Sequence, residues 1–334
     1  MIDVIDNDSG MSLLLGRPCM IHRSDCNTGR PLNCDIPAEP LSTSPDVLVA
    51  HGLPFTFAER LFQYDMACKI HDARDLGLNR VSPETYILVQ DMQNQLQSLV
   101  AALPPFLRPH DPDKSFDELY QNLPLQRETV LTSISSAVYS LHRPHLADHE
   151  ESRREVLSST ISALESQQRI FSLTPEHHYG MYTLSFYTID AALLLMSTAA
   201  MYPLSAKESM QQIRQVLSRA MDNLSTMAHL NSIAGMGLTL LNRCFSRMNS
   251  IIESSLTEVY ESSHFHDSGP AIEELTQATA LGSDFWPTDQ IDSVQDLDLN
   301  DFLEEPHWKQ FLDSDLLMFP PTNPVVAANV NSSL

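Results

Sequence analysis

Between Leu13 and Pro37 the chain reads LLLGRPCMIHRSDCNTGRPLNCDIP, which places Cys19, His22, Cys26 and Cys34 close together. Thiolate and imidazole are the ligands of structural zinc, and Cys19-x-x-His22 has the spacing of one knuckle. A structural site ordinarily closes two such doublets around the metal. Here Cys26 and Cys34 stand singly, and no Cys-x-x-Cys occurs anywhere in the sequence. The spacing favours a loop with incidental thiols over a metal site. Hydrolytic or nucleotide chemistry has as little to stand on. No G-x-S-x-G, G-x-G-x-x-G, P-loop or H-E-x-x-H is present, and glycine numbers only 10. Among the 13 histidines, His177-His178 reads as a solvated pair at a helix start. His142 and His145 read as cations suited to the carbonyl end of a helix. No catalytic, cofactor-binding or metal-binding residue is assigned, and the chain is read as not an enzyme.

The C-terminal stretch is chemically more pointed. From Asp284 to Phe319 it reads DFWPTDQIDSVQDLDLNDFLEEPHWKQFLDSDLLMF, with ten carboxylates and one lysine around large apolar side chains. Acidic and hydrophobic residues alternating in this way are the composition of activation segments. Like-charge repulsion opposes a private core, which leaves Phe302, Leu303, Trp308, Phe311, Leu312, Leu316, Leu317 and Phe319 for a partner groove. Trp308, Phe311, Leu312, Leu316 and Phe319 share one face if a helix is induced. A solvated tail, or a terminal helix docked on its own domain, is the competing account.

These residues need elements to position them. The 334 residues allow one large domain or two smaller ones, with 43% hydrophobic and 19% charged residues. Against 20 basic residues stand 43 acidic ones, a formal charge of −23. Such a chain repels phosphate backbones, so no direct nucleic-acid contact is expected. The acidic start MIDVIDNDSG is unlike a secretory leader. The apolar run Ala191 to Tyr202 is short for a membrane span, and five cysteines suit a reducing compartment. A soluble, intracellular chain without a membrane partner is the expectation.

Three zones follow: a loop-rich 1–54, an α-helical 55–262, and an acidic 263–334 expected to be largely disordered. Ser82-Pro83 opens a predicted helix that runs to Leu103, where Pro104-Pro105 stops it. Ser115 with Glu118, and Ser205 with Glu208, have capping-box spacing. Met210, Ile213, Leu217, Ala220, Leu224 and Met227 line one helix face, read as core ahead of a dimer seam. Leu238, Leu241, Phe245, Met248 and Ile252 repeat the pattern after an expected break at Gly235-Met236-Gly237. Tyr179 to Met201, apolar nearly all round, reads as a helix central to a bundle, and the scattered methionines as core filler. The fold class is all-α.

Residues 13–37 also resemble a family signature. Leu15-Gly16-Arg17-Pro18, then Ile21, Asp25, Leu32, Asp35 and Ile36-Pro37, resemble the middle homology region of fungal binuclear zinc-cluster transcription factors. Leu141-His142-Arg143-Pro144-His145-Leu146 is similar to a second element of that region. The resemblance spans roughly residues 10–260. It implies that Gly16, Arg17, Pro18, His142, Arg143 and Pro144 are structural, with the two arginines bonding free carbonyls. It further implies a nuclear regulator of RNA polymerase II transcription that contacts coactivators through its tail. The helical part would form homodimers or answer to a small-molecule effector. Zinc and DNA belong, in that family, to a basic six-cysteine cluster that these residues do not contain, so no cofactor is expected in this chain. The helices that precede the Gly-Arg-Pro stretch in the family are lacking, so the regulatory domain is expected to be incomplete at its N-terminus and to associate. The other readings are an α-helical enzyme or small-molecule binder, and a truncated dominant-negative dimerisation partner.

Overall fold

The computed structural model describes residues 8, 9, 12, 19–21, 54, 55, 58–78 and 82–264, all within or at the edge of the first of two units, Met1–Ser262. The Gly16-Arg17-Pro18 motif and all eight tail residues from Phe302 to Phe319 lie outside the described residues. Among those described, helices alternate with short turns and no strand occurs, so the fold is all-α. The principal helices are α1 (Ala58–Asp75), α2 (Pro83–Ala101), α3 (Leu123–His142), α4 (Glu150–Leu173), α5 (Tyr182–Met201), α6 (Met210–Met227) and α7 (Ser232–His264).

Local chemistry sets the boundaries. Ser82 caps α2: its Oγ accepts from Thr85 N–H at 3.2 Å while Thr85 Oγ1 accepts from Ser82 N–H at 3.0 Å. Pro83 takes the first helical position, where its missing N–H is harmless. The helix ends at Ala101, ahead of Pro104-Pro105. The other two capping-box spacings do not start helices. Asp113 Oδ1 accepts from Ser115 N–H at 2.9 Å, and residues 115–119 form turns that bring Phe116 and Tyr120 onto the core. Ser205 sits in a single turn, Pro203–Ala206, that follows α5 almost without a break. α6 then begins at Met210 with no side-chain cap from Ser209.

α1, α2 and α3 enclose one apolar cluster, in which Phe62, Met66, Val89, Leu96, Leu107 and Val130 are buried. Arg127, itself 6% exposed, ties the 102–122 connection to α3. Its guanidinium donates to Phe106 O at 3.1 Å and to Asp117 Oδ2 at 2.5 Å. On the other side α4 packs against α5 and α6, and α5 against α6. The stripe Ile213, Val216, Leu217, Ala220, Leu224 and Met227 is buried there, within the chain's own core. Each large member contributes roughly 1.5–3 kcal/mol by leaving water. That face is therefore committed inside this chain, and Met210 stands half-buried at its edge.

α5 is long and apolar enough to cross a bilayer, yet 61% of its apolar window is buried inside the body. From Tyr182 to Ala200 every residue is buried or half-buried, as an all-round apolar core helix requires. The expected break at Gly235-Met236-Gly237 does not occur, because α7 runs through it from Ser232. The glycines serve close approach instead. A Cβ on Gly237 would overlap Ile189 Cδ1 and Cγ1 of α5, whereas one on Gly235 would meet Ala228 Cβ at an ordinary 3.8 Å.

Opposite outcomes follow for two neighbouring substitutions. Gly235→Ala should raise stability by up to about 1 kcal/mol, the helix-propensity gain of alanine. Gly237→Ala should lower it by about 1–3 kcal/mol, since β-branched Ile189 has little rotamer freedom to yield. Urea unfolding of both variants checks this, and equal gains would mean that α5 and α7 are not in contact at Gly237.

Candidate functional site

The end of α3 supplies the best-built polar feature among the described residues. Leu141-His142-Arg143-Pro144-His145-Leu146 carries the chain from α3 through a 3-10 turn, Arg143–His145, toward α4. His142 is fully buried, with Nε2 at 2.8 Å from Gln93 Oε1 of α2 and Nδ1 at 3.0 Å from Ser152 Oγ of α4. An amide oxygen only accepts, so Nε2 carries the proton and Ser152 donates to Nδ1. One neutral imidazole thus joins three helices. Burial, reinforced by the neighbouring His145, lowers its pKa from 6.5 to about 4. The expectation of a cationic His142 capping the helix dipole is corrected: desolvation outweighs the dipole here.

His145 is also fully buried, its Nε2 lying 3.3 Å from Leu78 O and its Nδ1 without a hydrogen-bond partner. Arg143, expected to bond carbonyls, is exposed and its side chain makes no hydrogen bond. Its charge acts on Asp190 of α5, whose pKa burial raises and whose Oδ2 accepts from the buried Tyr139 hydroxyl at 2.7 Å. The free carbonyls at this corner go to Arg153 instead, which donates to Leu146 O at 2.8 Å and to Ala147 O at 2.6 Å. Pro144 is half-buried within the turn.

Above this joint, α2 and the start of α4 border an open cleft of ≈ 690 Å³. Tyr86, Gln90, Gln93, Asn94 and Gln97 line it from α2; Asp148, His149, Glu150, Glu151 and Glu155 line it from α4 and the residues just before it. The Tyr86 and His149 rings stack at 3.6 Å, and the Tyr86 hydroxyl is buried without a hydrogen-bond partner. Glu155 is half-buried, and its pKa is raised chiefly by burial, with Gln93 and Arg154 acting in the opposite sense and Glu151 adding to it. No pattern in the sequence advertised this cleft. Its polar walls come from the Gln-rich face of α2 meeting an acidic helix start far away in sequence.

Other chemistry-bearing groups are less open. Ser9 Oγ lies 3.0 Å from His71 Nε2, but Ser9 is 0% exposed, and a nucleophile needs a face for its substrate. The pair locks residue 9 onto α1. Cys19 is half-buried, while His22, Cys26 and Cys34 lie outside the described residues, among which no group of three or more metal-ligating side chains occurs. His177 and His178 are exposed, as a solvated pair should be. The architecture defines an all-α body with a polar cleft at a histidine-locked joint. No protein-family model, curated protein or solved structure matches the chain.

The buried neutral imidazole makes stability depend on pH. The unfolded ring binds a proton below its ordinary 6.5 and the folded ring only near 4, so folding loses stability as the pH falls through that window. The loss attributable to this group reaches about 3 kcal/mol. Urea unfolding at neutral pH and near pH 4 should show the wild type losing more than His142→Gln, which lacks the titrating ring. Parallel losses would place the proton elsewhere.

Proposed function

We propose that this chain is the regulatory and activating part of a nuclear transcription factor of the fungal zinc-cluster type. The helical body is its regulatory domain, and residues 263–334 are its acidic activating segment. The observation that carries this reading is the place of Leu141–Leu146. The element that resembles the family is not a surface loop: His142 and His145 are fully buried, and His142 bonds α3 to both α2 and α4. A regulatory domain needs such a joint, since it must hold one arrangement until an effector or partner alters it. The cleft beside the joint gives a small-molecule effector a place to act.

Recruitment is the mechanism. Phe302, Leu303, Trp308, Phe311, Leu312, Leu316, Leu317 and Phe319 enter a coactivator groove, and the surrounding carboxylates keep them soluble until they do. Phosphate backbones are left to a separate zinc cluster, because a net charge of −23 repels them. The dimerisation reading must use another face than Ile213 to Met227, which the core already occupies.

Fusing residues 263–334 to a heterologous DNA-binding domain tests the recruitment step. A reporter should be activated several-fold or more, and the triple change Trp308→Ala, Phe311→Ala, Leu312→Ala should abolish that activation while fusion levels stay equal. A silent wild-type fusion at normal abundance would remove the activating role.

A further inference from the structure

The cleft between α2 and the start of α4 has a chemistry of its own. Its ≈ 690 Å³ falls within the range of small-molecule sites, roughly 300–1,000 Å³. Such sites are ordinarily walled by apolar side chains, whereas this one is walled by amides and carboxylates. Gln90, Asn94 and Gln97 recur at i, i+4 and i+7 on one face of α2, and their side chains make no hydrogen bond. Opposite them stand Asp148, Glu150, Glu151 and Glu155, and no lysine or arginine lines the cleft. Arg154, from outside, pairs with Glu151 at 3.1 Å and reaches Glu150 at 3.9 Å. His149 lies against Tyr86 and is the cleft's own basic group.

Four carboxylates call for positive charge, and their arrangement selects its form. A metal ion needs ligands that converge on one point, yet no set of three does so among the described residues. Glu151 and Glu155 are instead strung along the helix, about 6 Å apart along its axis. That separation matches two ammonium groups joined by a short alkyl chain. Glu155, half-buried and without an ion-pair partner, is the carboxylate most in need of one. The stacked Tyr86 and His149 rings offer a surface on which methylenes can lie.

We propose that this cleft binds a linear organic polycation, a di- or triamine, laid along α4 with one ammonium on Glu155 and the next toward Glu151. This deepens the regulatory reading, in which the helical body answers to a small-molecule effector, by naming the chemistry of that effector. The site stands on its own geometry, so the tail fusion and the binding measurement fail separately.

Calorimetric titration of the full 334-residue chain with spermidine, at neutral pH and near-physiological salt, tests it. Saturable one-to-one binding is expected. Glu155→Gln and Glu151→Gln should each weaken it about tenfold, the loss of one ion pair worth about 1.4 kcal/mol. Glu208→Gln, an exposed acid on the turn before α6, should leave it unchanged. Butylamine should bind far more weakly, and magnesium chloride at equal ionic strength should not displace the triamine. Circular dichroism and thermal unfolding of each variant separate lost binding from lost folding. Equal weakening by Glu208→Gln, or displacement by magnesium, would reduce the effect to counter-ion attraction by an anionic chain and overturn the proposal. Binding of an oligolysine peptide through Glu155 without binding of spermidine would overturn it too, in favour of a protein-docking surface.

Discussion

Both nitrogens of one fully buried imidazole are spent inside the protein, and the rest of the arrangement depends on that. His142 reaches Gln93 on α2 and Ser152 on α4 from the last residue of α3. Each hydrogen bond adds only about 1 kcal/mol net, but an orphaned partner at this depth costs about 1–3 kcal/mol. The geometry is therefore held more by the penalty for leaving it than by the bonds themselves. Replacing His142 with an apolar residue strands both Gln93 and Ser152, and replacing either of those orphans one ring nitrogen. It also fixes which face of α2 turns toward α4, and so which side chains wall the cleft.

A second constraint runs along the contact of α3 with α4. Small hydroxyl residues, Thr132, Ser135, Ser162 and Ser166, meet there where bulky aliphatic ones would ordinarily interlock. Thr132 Oγ1 and Ser166 Oγ are 3.0 Å apart, Ser135 and Ser162 3.2 Å, and Gln167 Nε2 donates to Thr132 Oγ1 at 3.0 Å. Further down, Ser166 donates to Glu128 O at 2.7 Å and Arg169 Nε pairs with Glu128 at 2.8 Å. Other hydroxyls turn back on their own helix, as Ser136 does to Thr132 O and Thr160 to Val156 O. A buried hydroxyl without a partner costs about 1–3 kcal/mol, so these bonds make the seam neutral rather than strongly favourable. The driving force comes from the apolar packing on either side, where α1 and α2 close on α3 and α5 and α6 close on α4.

That division explains what the sequence could disclose. Apolar periodicity is a local signal, so the α6 stripe, the all-round apolar α5 and the Ser82-Pro83 start of α2 were readable residue by residue. Capping spacings at Ser115 and Ser205 were local signals that lost to context: an Asx turn at Asp113 and a proline turn directly after α5. The Gly235-Gly237 pair misled because glycine signals either a break or a close approach, and only the position of Ile189 decides between them. Runs of serine and threonine carry no period and gave no hint of a helix seam. Histidine was the hardest case. At a helix end a cation is favoured by up to about 2 kcal/mol, but burial reverses the preference, and burial is a property of the whole fold.

The same joint ties the cleft to the core. Gln93 faces both ways: its carbonyl oxygen accepts from His142, and its side chain favours the charged form of Glu155. Charge placed against Glu155 strengthens its claim on Gln93 and, through it, the orientation that His142 requires. Linkage makes this reciprocal, since whatever holds Gln93 in place also offsets part of the burial that raises the Glu155 pKa. A cleft assembled from flexible surface side chains would have no such hold on the body beneath it. Here a fixed amide stands between a solvent-facing acid and a buried ring, so occupancy of the cleft and the packing of α2, α3 and α4 share one set of hydrogen bonds.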